Sequence, residues 1–135
     1  MALLQWNKLF NTNIKIIDEQ HQELVDILNS LHDSVLEDKA NDELGILLEK
    51  LVNYTIVHFK TEEQFFDEYN YPETEEHKAE HNDLANKAVK YLKDYNSGEL
   101  VLSDEVIYFL KDWLKNHIVH TDKKYSAFLI SKGVT

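Results

Sequence analysis

The stretch LGILLEKLVNYTIVHFKTEEQFFDEY, residues 44–69, repeats its apolar side chains at intervals of three and four residues. This interval is the period of one helix face, so the stretch predicts a long amphipathic helix that turns one side to a core. The predicted inward stripe consists of Leu44, Leu47, Leu51, Tyr54, His58, Glu62 and Phe65. Two members of this stripe, His58 and Glu62, are polar where a core is normally apolar. The stretch therefore indicates a helical fold. It also raises the question of what these two polar side chains bind.

Turn signals on both sides of this helix divide the chain into four long helices. Asn41 and Asp42 mark the start of this helix, and Tyr71-Pro72 ends it. The other predicted bounds are an Asp18 N-cap and an end near Glu37 for the first helix, a Thr74 cap and Asn96-Ser97-Gly98 for the third, and a Ser103 cap for the fourth. Their inward stripes are Leu24, Val25, Leu28, Leu31 and Val35; His77, His81, Leu84, Ala88 and Leu92; and Val106, Leu110, Trp113, Leu114 and His117.

Short connections make consecutive helices antiparallel neighbours, so we predict an all-α, up-down-up-down four-helix bundle. The chain is expected to form a single domain, residues 1–135, with an N-terminal arm (1–17), the bundle (18–120) and a C-terminal tail (121–135). The arm carries Trp6, Phe10 and Ile14, which we expect to pack across the bundle. A short C-terminal helix is expected from Tyr125 to Lys132.

Charge and composition exclude several classes of function. The chain of 135 residues has 25 acidic residues against 14 lysines, a formal net charge of −11, which disfavours binding to nucleic acid or to anionic membranes. Cysteine is absent, so neither disulfides nor thiolate metal sites can form. We expect no membrane insertion, because no apolar run has the length of a membrane span and the opening MALLQWNKLF is too short and polar for a signal peptide. The expected location is cytoplasmic.

Five of the seven histidines are expected to lie at the same end of the predicted bundle. In an antiparallel bundle, the starts of helices one and three lie at the same end as the finishes of helices two and four. The five histidines that fall at this end are His21, His58, His77, His81 and His117. The other two are expected to stay outside, His32 as a core or partly buried residue and His120 as an exposed one.

Two carboxylates join the predicted cluster. Glu62 follows His58 by four residues, so the two share a helix face. Asp122 follows His117 by five, which in a regular α-helix rotates it about 140° away. The fourth helix must therefore loosen or end between these two residues if Asp122 is to join.

A metal centre explains this cluster better than ordinary burial does. A single histidine on an apolar stripe is usually a hydrogen-bonded core residue, but burying five imidazoles and two carboxylates without partners would cost several kcal/mol. Imidazole and carboxylate together suit iron, zinc, copper or nickel. If both carboxylates bridge two ions and a solvent oxygen also bridges, about eleven of roughly twelve octahedral positions are filled. One position is left open for a small molecule.

Four segments resemble the motifs of the hemerythrin family, in particular its stand-alone bacterial members: IDEQH (17–21), HFKTEE (58–63), HKAEH (77–81) and HIVHTD (117–122). The resemblance implies a non-haem di-iron centre, bridged by an oxo or hydroxo group, that binds O2 reversibly. It places His77, His81 and His117 on a six-coordinate iron and His21 and His58 on a five-coordinate iron, with Glu62 and Asp122 bridging. It also implies an apolar O2 pocket of Phe59, Trp113, Leu114 and Ile118, which can equally serve as ordinary core.

One position departs from the family pattern. Asn13 stands shortly before the IDEQH motif, where the family usually has glycine. Asparagine tolerates the left-handed backbone conformation better than most residues, so the turn is expected to survive.

The expected function is O2 storage, delivery or buffering by a monomer that is not an enzyme, with O2 as ligand and an oxygen-consuming enzyme as a possible recipient. The alternatives are a di-iron oxidase or peroxidase and an O2 or redox sensor. Ferritin-like di-iron proteins use Glu-x-x-His pairs, and no histidine of this sequence has glutamate three residues before it. A sensor would need an output domain, for which this chain has no room.

Overall fold

The computed structural model describes residues 3–100 and 104–135, without the side chains of residues 41, 104, 105, 120 and 121. Five α-helices follow one another in these ranges: α1 (Lys15–Leu36), α2 (Asn41–Tyr69), α3 (Thr74–Asn96), α4 (Asp104–Asn116) and α5 (Asp122–Ser131). A 3-10 turn at Lys8–Phe10 precedes them, and a π-helical segment, His117–Thr121, joins α4 to α5. The predicted all-α bundle with a short C-terminal helix is confirmed. The predicted Ser103 cap lies outside the described residues.

The bundle core lies between α1, α2 and α4. Helix α1 packs against both α2 and α4, and α2 also packs against α3. Because it contacts two neighbours, α2 buries a wider face than the predicted stripe. Leu48, Thr55 and Phe66 are buried in addition to the predicted residues, whereas Leu47 and Tyr54 are only partly covered.

The first helix begins three residues before the predicted cap. Lys15 opens α1, with Ile14 at the N-cap position, so the expected role of Asp18 as N-cap is wrong. The Asp18 carboxylate instead accepts hydrogen bonds from the Thr12 hydroxyl at 2.7 Å and from the backbone N–H groups of Thr12 and Asn13 at 2.8 and 3.1 Å. It thereby closes the turn that leads into the helix. Asn13 has φ of 67°, which confirms that this position adopts the left-handed conformation.

The N-terminal arm is fixed to the bundle by side-chain and backbone contacts. Phe10 and Ile14 are buried, and Trp6 packs edge-on against Phe10 with ring centroids 5.3 Å apart. Asn29 of α1 accepts a hydrogen bond from Leu4 N–H and donates one to Leu4 C=O, both at 2.9 Å. The arm therefore packs across the bundle as expected.

The helices of the described ranges are too polar to cross a bilayer, since none combines the length and the hydropathy that a membrane span requires.

Candidate metal centre

The seven predicted site residues all lie in the protein interior near one end of the bundle. They come from five places in the sequence: the second turn of α1, the later turns of α2, the opening turns of α3, the start of the π-helical segment and the start of α5. All seven are buried: His21, His58, Glu62, His77, His81, His117 and Asp122.

One group of donor atoms forms around His21 and His58. The Nε2 atoms of these two residues are 3.1 Å apart, and an oxygen of Asp122 lies 2.5 Å from His21 Nε2 and 3.4 Å from His58 Nε2. Glu62 Oε1 lies 3.1 Å from His58 Nε2. These four side chains place one donor atom each within 4.8 Å of all the others, which is compatible with binding a single ion.

A second group shares Glu62 with the first. Glu62 Oε1 lies 3.4 Å from both His81 Nε2 and His117 Nε2, and the three donor atoms again fall within 4.8 Å of one another. The other Asp122 oxygen, Oδ1, lies 3.1 Å from His117 Nε2. Each carboxylate therefore contacts histidines of both groups.

His77 is buried beside the second group but is not part of either set of donor atoms. Its ring centroid lies 5.8 Å from that of His81, and its Nε2 atom is buried without a hydrogen-bond partner. Burial lowers the pKa of His77 by more than Glu62 and Asp122 raise it, so the ring is neutral at pH 7. A neutral, unpartnered imidazole nitrogen is the form that binds a metal.

The π-helical segment explains how Asp122 reaches His117. The backbone N–H of Asp122 donates to the C=O of His117, five residues earlier, instead of four as in an α-helix. This wider turn reduces the rotation between positions 117 and 122, so both side chains face the site. The helix loosens at the predicted place but does not end there.

Burial and neighbouring charges shift the pKa values of several residues in the cluster. Burial by itself would lower the pKa of His58, but Glu62 and Asp122 outweigh it and raise that pKa to about 9. The pKa of His117 is also raised against burial, chiefly by Asp122. Burial would raise the pKa of Glu62, yet His58 and His117 hold it well below its usual value. The metal-free cluster thus holds ionised carboxylates and protons that a cation would displace.

Two residues next to the site were missed by sequence reasoning. Gln20 Oε1 lies 2.8 Å from His58 Nδ1, and Glu63 Oε2 lies 3.2 Å from His81 Nδ1. Both belong to the quoted motifs IDEQH and HFKTEE. The only available signal was that metal-binding histidines usually donate their second N–H to an oxygen, which does not say which residue supplies it.

Apolar side chains cover the histidines. Phe59 stacks on His81 with ring centroids 4.0 Å apart and an interplanar angle of 5°, and Trp113 stacks on His117 at 5.9 Å. Leu114 and Ile118 are fully buried in the bundle core. Trp113 also lines a small, partly open cavity of about 20 Å³ whose other walls are mainly apolar residues of α2, α3 and α4.

Of the two histidines set aside earlier, His32 lies outside the cluster. His32 is partly buried and lies near Tyr108, with ring centroids 6.5 Å apart, as expected for a residue outside the site. The side chain of His120 lies outside the described residues.

The donor set fits a metal better than it fits a hydrogen-bonded core. Glu62 Oε2 and His77 Nε2 are buried without a partner, and His81 Nε2 and Asp122 Oδ1 have only poorly aligned approaches. Each unpaired buried polar atom costs about 1–3 kcal/mol. Metal ions would give these atoms the bonds that the protein leaves unmade.

Comparison with known proteins identifies the family to which this architecture belongs. The family described as Hemerythrin HHE cation binding domain matches residues 12–129. A bacteriohemerythrin of Methylococcus capsulatus is 35% identical over 130 residues, which is 96% of this chain and 98% of that protein. A Naegleria gruberi protein named hemerythrin-like is 30% identical over 124 residues, 92% of each chain.

Solved structures agree with the sequence relatives. The crystal structure of a wild-type hemerythrin superimposes with a TM-score of 0.90 at 35% identity, covering 95% of this chain and 98% of that one. A crystal structure of a leucine-to-tyrosine variant of a hemerythrin matches equally well, with a TM-score of 0.90. The chain is therefore a member of the hemerythrin family.

Proposed function

We propose that this protein binds O2 reversibly at a non-haem di-iron centre held by His21, His58, Glu62, His77, His81, His117 and Asp122. The observation that carries the proposal is the pair of donor groups that share Glu62, with Asp122 directing one oxygen toward each group. Two groups with common carboxylates suit two bridged ions better than one. An oxo or hydroxo bridge would complete the centre.

The five histidines are divided unequally between the two positions. His21 and His58 serve one ion, and His81 and His117 serve the other, with His77 joining them from the opening turn of α3. The position with two histidines has one ligand fewer, so it is the one with room for O2. When bound, the iron pair supplies the electrons and the open coordination position that O2 binding requires.

The surrounding residues restrict water. Phe59 and Trp113 lie against His81 and His117, and Leu114 and Ile118 fill the core next to the π-helical segment, so these four form the proposed apolar O2 pocket. A dry, apolar surround slows the loss of a reduced oxygen species by keeping protons and water away. It also favours a small apolar ligand over a charged one.

The physiological role that follows is oxygen storage, delivery or buffering rather than catalysis. Relatives that cover most of this chain bear the name bacteriohemerythrin. We propose that the chain works in the cytoplasm as a monomer and hands O2 to an oxygen-consuming enzyme. The chain is rich in acidic residues, with a net charge of −11, which disfavours nucleic acid as a partner.

Absorbance spectroscopy through repeated cycles tests the proposal. Iron-loaded, reduced protein is exposed to O2, returned to an anaerobic atmosphere and exposed again. Reversible binding gives a visible band that appears and disappears with unchanged amplitude. An oxidase or peroxidase would instead consume O2 and a reductant continuously, and that result would replace the binding function with an enzymatic one.

A further inference from the structure

Gln20 connects the metal centre to the backbone of a neighbouring helix. It extends from α1 next to His21, is 9% exposed, and its carbonyl Oε1 lies 2.8 Å from His58 Nδ1 in α2. Its Nε2 lies 3.0 Å from the Thr61 hydroxyl, and that hydroxyl lies 3.1 Å from the backbone oxygen of Val57. Four groups therefore form one continuous chain of hydrogen bonds.

The donor and the acceptor of every hydrogen bond in this series are determined. The Val57 carbonyl can only accept, so the Thr61 hydroxyl donates to it and accepts from Gln20 Nε2. The Gln20 carbonyl oxygen then accepts from His58, which requires the proton on His58 to sit on Nδ1. With that proton fixed, Nε2 is the nitrogen left to face His21, Glu62 and Asp122 as a ligand.

The second group has a different kind of partner. His81 Nδ1 lies 3.2 Å from a carboxylate oxygen of Glu63, a side chain that is 29% exposed. By contrast, the Nδ1 atoms of His21 and His117 are buried without a partner in the described part of the chain. A carboxylate partner makes an imidazole a stronger donor to its metal than a neutral amide does.

We propose that Gln20 is a positioning residue that holds His58 in the tautomer with Nε2 directed at the metal. The contrast between the Gln20 amide and the Glu63 carboxylate then makes the two metal positions electronically unequal. This inference rests on the proposed function, since it assumes that the cluster binds two ions. The position served by His58 receives the weaker donation and the position served by His81 the stronger.

The positioning role is tested in the metal-free and zinc-loaded protein. Nitrogen-detected NMR of the histidine rings should show a slowly exchanging His58 Nδ1 proton in the wild type. Gln20→Leu should abolish that protection and lower zinc affinity about ten- to a hundredfold. Gln20→Glu, which keeps an acceptor, should restore the protection, and Thr61→Val should weaken it by freeing the amide.

The matched control is Gln22→Leu. Gln22 lies two residues further along α1, where its amide donates to Asp26 at 3.2 Å, away from the site. The Gln22→Leu variant should leave both the protection of the His58 Nδ1 proton and the zinc affinity unchanged. If Gln20→Leu folds, binds zinc with wild-type affinity and keeps the protected proton, Gln20 does not position His58. If Gln20→Leu does not fold, the Thr61→Val result decides, and full protection in that variant overturns the role.

The electronic inequality is tested by exchanging the two partners. In iron-loaded protein, Gln20→Glu should lower the reduction potential, because stronger donation stabilises the ferric state, whereas Glu63→Gln should raise it. A general structural disturbance would shift both variants in the same direction. Shifts of the reduction potential in the same direction in both variants, or no shift in either, would overturn the inequality. Because the zinc and NMR readouts require neither iron nor O2, failure of O2 binding is distinguishable from failure of this inference.

Discussion

At the scale of single residues, the protons held by the metal-free cluster oppose metal binding. The pKa of His58 stands at about 9 because Glu62 and Asp122 outweigh the effect of burial. At pH 7 this ring therefore carries a second proton, on Nε2, in addition to the Nδ1 proton that it donates to Gln20, and Nε2 is the atom that would bind the ion. A metal must displace that proton, so binding and deprotonation are linked.

We expect metal affinity to rise with pH between about 7 and 9, by about tenfold per pH unit for each proton displaced. The stability of the metal-free fold should change in the opposite sense. A raised His58 pKa contributes stability that is present below the ordinary value of 6.5 and is lost as the pH rises through about 9. Competition titrations with zinc, together with denaturation of the metal-free protein across this range, measure both trends. An affinity independent of pH would contradict the protonated cluster.

Glu62 is a member of both donor groups. Replacing it by glutamine preserves its shape but removes the charge and one ligand oxygen, so Glu62→Gln should abolish retention of two ions per chain. The exposed Glu68 on the same helix offers a control, since Glu68→Gln lies outside both groups. Two retained ions in Glu62→Gln would show that the carboxylate does not link the positions.

The sequence predicted which side chains converge in the interior better than it predicted the residues that hold them there. His58 and Glu62 interrupt an apolar stripe, so helix periodicity alone turns them inward. Gln20 follows no such pattern, because its contact with His58 depends on how closely α1 approaches α2. Asp18 was misread for a related reason: an acid near a helix start resembles an N-cap, and only the backbone path shows that it accepts from Thr12 and Asn13 instead.

At the scale of elements, α3 differs from α1 in how its inward face is buried. Every side chain of α3 is described, and only His77 and His81 are buried. Helix α1, in contrast, buries eight residues, six of them aliphatic. Fully buried aliphatic side chains therefore hold α1 in place, whereas α3 combines two buried imidazoles with the half-buried Ala88, Tyr91, Leu92 and Tyr95, which pack against the core.

Chelation of the metal should release α3 first. Without an ion, the His77 Nε2 atom stays buried and unpaired, and the apolar side chains of α3 that pack on the bundle are only half-buried. Hydrogen–deuterium exchange of loaded and chelated protein should show faster exchange throughout α3 and little change in the middle of α1. Equal acceleration in both helices, or none in α3, would contradict this assignment.

The π-helical segment shows where sequence reasoning reached its limit for an element. The spacing of five residues between His117 and Asp122 required a departure from regular α-helix, and this much was predictable. Whether the helix ended, kinked or widened was not, because all three can bring Asp122 to the site. The hydrogen bond from Asp122 N–H to His117 C=O shows that the helix widens and continues into α5.

At the scale of the whole molecule, the fold brings four distant segments of sequence to one end of the bundle, and the cluster they form is poorly satisfied by protein contacts alone. Metal binding would therefore contribute to the free energy of folding. Since an ion that binds only the native state at a hundred times its dissociation constant contributes about 2.7 kcal/mol, the loaded protein should melt at a higher temperature than the chelated one. Coincident melting curves would contradict this link.

The most direct test of the central claim is the iron content of the folded, monodisperse protein, determined by elemental analysis against protein concentration. Two donor groups with shared carboxylates predict two iron atoms per chain. When iron is supplied under reducing, anaerobic conditions during expression, both positions should fill with iron. A reproducible content of one ion per chain, or stoichiometric zinc in place of iron, would contradict the dinuclear centre.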